Sequence, residues 1–229
     1  MKKVLEVRHL TKRYGQHLAL DNVNLTLEKG EVYGLIGRNG AGKTTLIKVI
    51  TKLIRPSQGS VSLFHSTSKS EWTHALKRVG SVIETPVALN HLNARQNLRY
   101  YCKIHHVPNP DKVIDEILDT VGLGHTGKKK FRSFSLGMKQ RLGIAIALIA
   151  KPDLLILDEP INGLDPKGIK DIRDILATLK NDFNITILIS SHILSELDLI
   201  ADDYVIMSKG KVIQEDSKSA ILSSLANKI

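Results

Sequence analysis

The sequence predicts an α/β fold organised around a largely parallel sheet. Three observations carry this expectation. Short, predominantly apolar runs at Val32–Ile36, Leu154–Leu157 and Ile185–Ile189 read as strands buried on both faces. Helical patterns separate them, as in a layered α/β domain. The length of 229 residues is enough for one large domain with a sizeable core and room for an inserted subdomain.

Taken in order, the run Val32-Tyr33-Gly34-Leu35-Ile36 leads into Gly37-Arg38-Asn39-Gly40-Ala41-Gly42-Lys43-Thr44, and Thr45 to Ile50 reads as the helix that follows. The loop fits GxxxxGK(S/T) in the strand, loop, helix setting that this motif requires. Its glycines let successive backbone N–H groups point into a phosphate cradle. Lys43 can reach the terminal phosphates of a nucleotide, and Thr44 can offer its hydroxyl to Mg²⁺. Residues 37–45 are therefore candidate nucleotide-binding residues, with Lys43 also catalytic.

From about Thr85 to Ile149 strand signals are few, and Ala94–His106 and Asp111–Val121 have helical patterns. Within this stretch lies Ser133-Phe134-Ser135-Leu136-Gly137-Met138-Lys139-Gln140, followed by an apolar helical segment from Leu142 to Ile149. Ser135 can act as an N-cap. The next strand, Leu154-Leu155-Ile156-Leu157, ends in Asp158-Glu159-Pro160 at the edge where open α/β sheets hold their ligands. Two acids at that point can divide the work, Asp158 holding Mg²⁺ and Glu159 polarising an attacking water. The strand Ile185–Ile189 delivers Ser190-Ser191-His192 to the same edge, where the imidazole, neutral or protonated, can hydrogen-bond a terminal phosphate.

Taken together, these residues resemble the nucleotide-binding domain of ATP-binding-cassette (ABC) proteins over nearly the whole chain. That resemblance implies a P-loop NTPase of ABC type with an antiparallel β subdomain and an inserted helical subdomain. A single domain would span 1–229, with 1–84 and 150–229 as the ATPase core and 85–149 as the helical subdomain. Phe134-Ser135-Leu136-Gly137-Met138 occupies the place of the family's LSGGQ signature. Ser135 and Gly137 would then open a helix facing the terminal phosphate of ATP held by a second subunit, where a helix N-terminus favours anions. Tyr14 matches the aromatic residue that stacks on adenine. Asn162-Gly163-Leu164-Asp165 resembles the loop that crosses the dimer interface, with Asp165 as its acid. The implied mechanism sandwiches two ATP molecules between two copies of the domain.

Three residues depart from the family pattern. Leu136 replaces the signature's first glycine and Met138 its glutamine, while Glu84, in Ser81-Val82-Ile83-Glu84-Thr85-Pro86, stands where most members carry the Q-loop glutamine. The form SLGMKQR resembles ATPases of bacterial bacitracin-resistance exporters. A glutamate in the Q-loop resembles the lantibiotic-immunity transporters, where the segment is called an E-loop. Direct Mg²⁺ ligation would favour the charged form of Glu84, whereas phosphate oxygens nearby would raise its pKa. The function implied is an ATPase subunit powering expulsion of a peptide antibiotic through a separate permease.

Composition agrees. The lone cysteine, Cys102, excludes an intrachain disulfide, and the N-terminal Met1-Lys2-Lys3-Val4-Leu5-Glu6 lacks a signal-peptide apolar run. The longest apolar stretch, Leu142–Ala150, is well short of the roughly 20 residues that a spanning helix needs. A cytoplasmic protein, peripheral at the membrane through its permease, is expected. The net charge of +10, with Lys128-Lys129-Lys130 and Arg132 in one run, suits a rival class, an ABC ATPase acting on nucleic acid or ribosomes. Neither the long coiled coil nor the tandem cassette of such proteins lies between Lys43 and Asp158 or after it, so no direct nucleic-acid contact is expected. Glu159 and His192 weigh against a second rival, a nucleotide-sensing module without turnover.

Overall fold

Two sheets organise the chain in a computed structural model that describes residues 2–66 and 68–217; residues 1, 67 and 218–229 of the expected single domain lie outside them. Strands β1 (Lys3–Tyr14) and β2 (His17–Glu28) form a hairpin, and β3 (Val32–Ile36) then enters the second sheet. Helix α1 (Lys43–Ile50) follows the glycine-rich loop, β4 (Gln58–Leu63) returns to β1, and α2 (Lys69–Leu76) precedes β5 (Val79–Val82). The antiparallel sheet has the order β2-β1-β4.

Three helices separate β5 from β6 (Leu154–Asp158): α3 (Ala94–Ile104), α4 (Pro110–Thr120) and α5 (Leu136–Leu148). The chain continues through α6 (Pro166–Asn181), β7 (Thr186–Ser191), α7 (Leu194–Leu197), β8 (Asp203–Ser208) and β9 (Lys211–Ser217). The second sheet runs β5-β6-β7-β3-β8-β9, and among its described pairs only β8–β9 is antiparallel. Between β5 and β6 the described residues form no strand, only an isolated bridge from Asn93 to Lys130.

The continuous apolar runs become central strands because both of their faces are covered. Alternate side chains of a strand point to opposite faces. Leu155, Leu157, Ile187 and Ile189 accordingly pack with α3, α4, α5 and α6 on one side. Leu154, Ile156 and Leu188 pack with α1 and the antiparallel sheet on the other. All five residues of β6 and all six of β7 are buried, including the polar Asp158, Ser190 and Ser191 at their ends.

Helix α5 starts earlier than the apolar segment Leu142–Ile149 suggests, because Ser135 accepts a hydrogen bond from the Met138 N–H and caps it. The helix lies directly on β5. A Cβ on Gly80 would meet the Ala147 carbonyl oxygen at 2.5 Å, and one on Gly143 would meet Pro86 Cβ at 2.8 Å. These two contacts lock the helix that begins at Ser135 to the strand that leads to Glu84. Among the described residues no helix is long and apolar enough to cross a membrane.

Substituting Gly80→Ala drives a methyl into backbone that cannot swing away. It should cost about 1–3 kcal/mol, the usual range for overpacking, read as a lower urea midpoint. Gly137→Ala, whose added carbon would find its nearest neighbour at 3.8 Å, should leave the midpoint unchanged or raise it slightly. Equal effects at the two positions would show that the α5–β5 contact is not the tight one.

Candidate nucleotide site

At the C-terminal ends of β3, β6 and β7 the parallel register brings three chain exits side by side. Ile36 pairs with Ser191, and Asp158 with Ser190, so the glycine-rich loop, the two acids and His192 leave neighbouring strands at one edge. The loop is held by the body of the protein: Gly37 N–H donates to the Ser191 carbonyl, and Gly210 N–H to the Ala41 carbonyl. Gly42, at φ +107°, ends it and begins α1, and a Cβ there would meet the Ala19 carbonyl oxygen at 2.9 Å. Only glycine satisfies both that dihedral and that approach.

Lys43 is the first residue of α1 and is 6% exposed. Its ammonium donates to the Gly37 carbonyl at 2.6 Å and lies 3.2 Å from Glu159 Oε1. A cation at the positive end of a helix dipole is unfavourable by itself and draws anions to the spot. The cavity beside it, about 290 Å³, is lined by residues 39–45 together with His17, Ala19, Glu159 and Asn162. Loop N–H groups, a helix N-terminus and a buried ammonium are a donor set that fits a polyphosphate.

Thr44 Oγ1 donates to Asp158 Oδ2 at 2.8 Å, and Ser190 Oγ donates to Asp158 Oδ1 at 2.7 Å. The Asp158 carboxylate is 3% exposed and has neutral hydroxyls as its partners, with no ion pair among the described residues. A buried anion in that situation fits a cation shared with the Thr44 hydroxyl. Ser190 Oγ also accepts from the Glu159 N–H at 2.9 Å, so one hydroxyl ties both acids to β7. This serine is a site residue that the motif reading missed; its signal was a polar side chain at the end of an otherwise apolar strand.

Glu159 adopts φ +50°, the left-handed region that non-glycine residues rarely enter. Its carboxylate thereby bridges two partners, Lys43 through Oε1 and His192 Nδ1 through Oε2 at 2.8 Å. Backbone strain of this kind persists where surrounding contacts over-determine it. Here those contacts are the Ser190 hydroxyl behind and the two cation-capable groups in front.

Apart from Gly37, whose carbonyl accepts from Lys43, the remaining candidates have no hydrogen bond to this cluster among those of the described residues. Tyr14, about half exposed, ends β1 with the Lys12 ammonium 4.9 Å from its ring centre, and its hairpin partner His17 is the residue that lines the cavity. Gly37 and Arg38 shape the loop without lining the cavity. Ser135 and Gly137 open α5, and Asp165 caps α6 by accepting from the Gly168 N–H. Leu136 is 47% exposed. Glu84 Oε1 accepts from Lys48 Nζ at 2.6 Å, while the side-chain hydrogen bonds of Thr44 and Asp158 go to each other and to Ser190. The hydrogen bond to Glu84 is the main reason that the Lys48 ammonium titrates above its ordinary value.

A family model described as ABC transporter matches residues 20–162. The bacitracin transport ATP-binding protein of Bacillus licheniformis is 46% identical over 215 residues, covering 94% of this chain and 70% of that protein. The lantibiotic transport ATP-binding protein of Streptococcus pyogenes is 45% identical over 213 residues, covering 93% and 90%. Among solved structures, cbiO1 from Clostridium perfringens, part of an ABC transporter complex, superposes with a TM-score of 0.88 at 27% identity, covering 98% of this chain and 92% of that one. The chain belongs to the ABC transporter family and is an ATP-binding, ATP-hydrolysing subunit with that family's α/β fold.

The Ser190 hydroxyl, fully buried, serves Asp158 as donor and the Glu159 N–H as acceptor. Ser190→Ala leaves both without that partner and should cost about 1–3 kcal/mol in a denaturant titration. A midpoint equal to that of the unaltered chain would remove this serine from the framework of the site.

Proposed function

We propose that this ABC subunit binds Mg²⁺·ATP between the glycine-rich loop and the acids that end β6, and that its hydrolysis drives peptide-antibiotic expulsion by a separate membrane permease. The observation that carries the catalytic part is Glu159, strained at φ +50° and bonded at once to Lys43 and His192. The peptide-antibiotic part rests on the relatives named as bacitracin and lantibiotic transport proteins and on Glu84 in the Q-loop position. The permease would confine this chain to the inner face of the membrane.

In this reading Thr44 and Asp158 would hold Mg²⁺, which would supply charge neutralisation to the phosphates. Lys43 and the N–H groups of residues 39–45 receive the β- and γ-phosphate oxygens, taking the place on Lys43 that Glu159 holds without nucleotide. Displaced from Lys43, the Glu159 carboxylate accepts a proton from a water whose oxygen attacks the γ-phosphorus as the bond to the leaving ADP oxygen breaks. His192, its Nδ1–H directed at Glu159, keeps Nε2 for the transferring phosphoryl group, and only the protonated ring donates from both nitrogens. Tyr14 contributes a ring for adenine at the cavity's rim.

We further assign Ser135 and Gly137 to the ATP of a second copy. Among the described residues no contact demands glycine at 137, and Ser135 is exposed and does not line the cavity of its own chain. Asp165, at the start of α6, would lie at the same junction. Residues 1–84 and 150–229 serve as the ATPase core and 85–149 as the helical unit; both sheets draw their strands from outside 85–149.

Glu159→Gln should lower the ATPase rate about 10²- to 10⁴-fold while ATP still binds, trapping a homodimer detectable by size-exclusion chromatography. Lys43→Ala should instead weaken nucleotide binding. Near-normal turnover by Glu159→Gln would take this residue out of the proton-transfer step. For the transport reading, cells carrying only the Glu159→Gln form should become as sensitive to bacitracin or a lantibiotic as cells lacking the gene, and unchanged sensitivity to both would reject the substrate class.

Composite sites have their own test. Lys43→Ala and Ser135→Arg proteins, each impaired alone, should regain ATPase activity when mixed, since one site of the heterodimer then has both halves intact. Mixed dimers that form and stay inactive would assign Ser135 to its own subunit's nucleotide or to none.

A further inference from the structure

Glu84 and Asp158 leave adjacent parallel strands at the same edge. Val82 pairs with Leu157, Asp158 is the next residue of β6, and Glu84 follows Val82 by two. One face of α1 runs past both acids, since Thr44 and Lys48 are four residues apart and share that face. The Thr44 hydroxyl is on the Asp158 carboxylate at 2.8 Å and the Lys48 ammonium on the Glu84 carboxylate at 2.6 Å. Glu84 lies at φ +61°, so its backbone is turned as sharply as that of Glu159.

We propose that Lys48 is a positioning residue for Glu84: it holds this carboxylate on α1, one helical turn from the Thr44–Asp158 pair, and the carboxylate reaches the cation site only when the ion pair opens. The inference rests on the reading that Glu84 serves that site. The pair is solvent-facing, with Lys48 31% and Glu84 62% exposed, and such pairs are weak. A modest competing interaction is therefore enough to open it, which makes the carboxylate available without a large barrier. A glutamine would leave the Lys48 ammonium without its hydrogen-bonded anion, so Lys48 acquires this role from the departure at position 84.

The test measures equilibrium binding of Mg²⁺·ATP and of metal-free ATP to the full-length chain in a Glu159→Gln background, and takes the ratio of the two affinities. Lys48→Met should raise the ratio about 2- to 5-fold, the range that an exposed ion pair supports, by freeing Glu84 for the cation. Lys48→Arg, which keeps the pair, should leave it unchanged. Glu84→Gln should lower the ratio, and adding Lys48→Met to Glu84→Gln should then do nothing. A Lys48→Met effect that is absent, or equally large without the Glu84 carboxylate, would overturn the positioning role. A ratio indifferent to Glu84→Gln alone would instead overturn the reading of Glu84 at the site. Both side chains are on the surface, so these variants retain the fold.

Discussion

The buried ammonium of Lys43 is the constraint around which the site is arranged. A charge that is 6% exposed has to be paired, and it stands at the first turn of α1, where the helix dipole repels it. Two groups offset this: the Gly37 carbonyl at 2.6 Å, fixed by the loop, and the Glu159 carboxylate at 3.2 Å, reached by a strained turn. The first is permanent and the second is exchangeable. A polyphosphate satisfies the ammonium better than one carboxylate does, because loop N–H groups and the helix N-terminus add to the attraction. On the proposed mechanism, nucleotide entry and release of Glu159 would thus be one event, freeing the carboxylate only when the substrate is present.

That exchange demands a rigid surrounding frame. The Ser190 hydroxyl grips the Asp158 carboxylate and the Glu159 N–H from the neighbouring strand, while the continuous apolar faces of β6 and β7 fix the strand ends from which these groups project. Sheet register converts three segments distant in sequence into one edge, with Ile36, Asp158 and Ser191 as the points of exit.

Much of this was legible in the sequence because it depends on local pattern. Short apolar runs leading to acids at 158–159 and to a histidine at 192 read as buried strands with those groups at their tips, and the glycine-rich loop carries its own spacing. What could not be read depends on side-chain partners across the fold. The hydrogen bonds of Ser190 with Asp158 and with the Glu159 N–H emerge only when β7 is set against β6. Lys48 looked like an ordinary basic residue on a helix until β5 brought Glu84 to it. The Gly80 contact with the Ala147 carbonyl has no sequence signature at all, since glycine in a strand is equally consistent with a bulge or a close approach. Tyr14 illustrates the reverse case, because a motif match identified it while the fold brings its partner His17 to the cavity.

Position 137 shows how an absence of internal cause becomes informative. Gly80 and Gly143 are small because another part of the chain lies within 3 Å of where their Cβ would be, and Gly42 because its dihedral requires it. Gly137 has neither reason: its first neighbours would be Leu164 Cδ2 at 3.8 Å and the Gly168 Cα at 4.0 Å, ordinary contact distances. Gly137 stands in the first turn of α5, and the proposed nucleotide of a second copy would give a reason for a residue without a side chain there. Leu136 beside it, nearly half exposed, lies near Gly163 in the loop that leads to Asp165, where an added Cβ would meet Leu136 Cδ2 at 3.4 Å. The first turn of α5 and the loop 162–165 therefore form one continuous surface, and whatever docks on Ser135 and Gly137 also bears on the segment that follows Glu159. In the proposed dimer, the residues between Glu159 and α6 would link the two nucleotide sites.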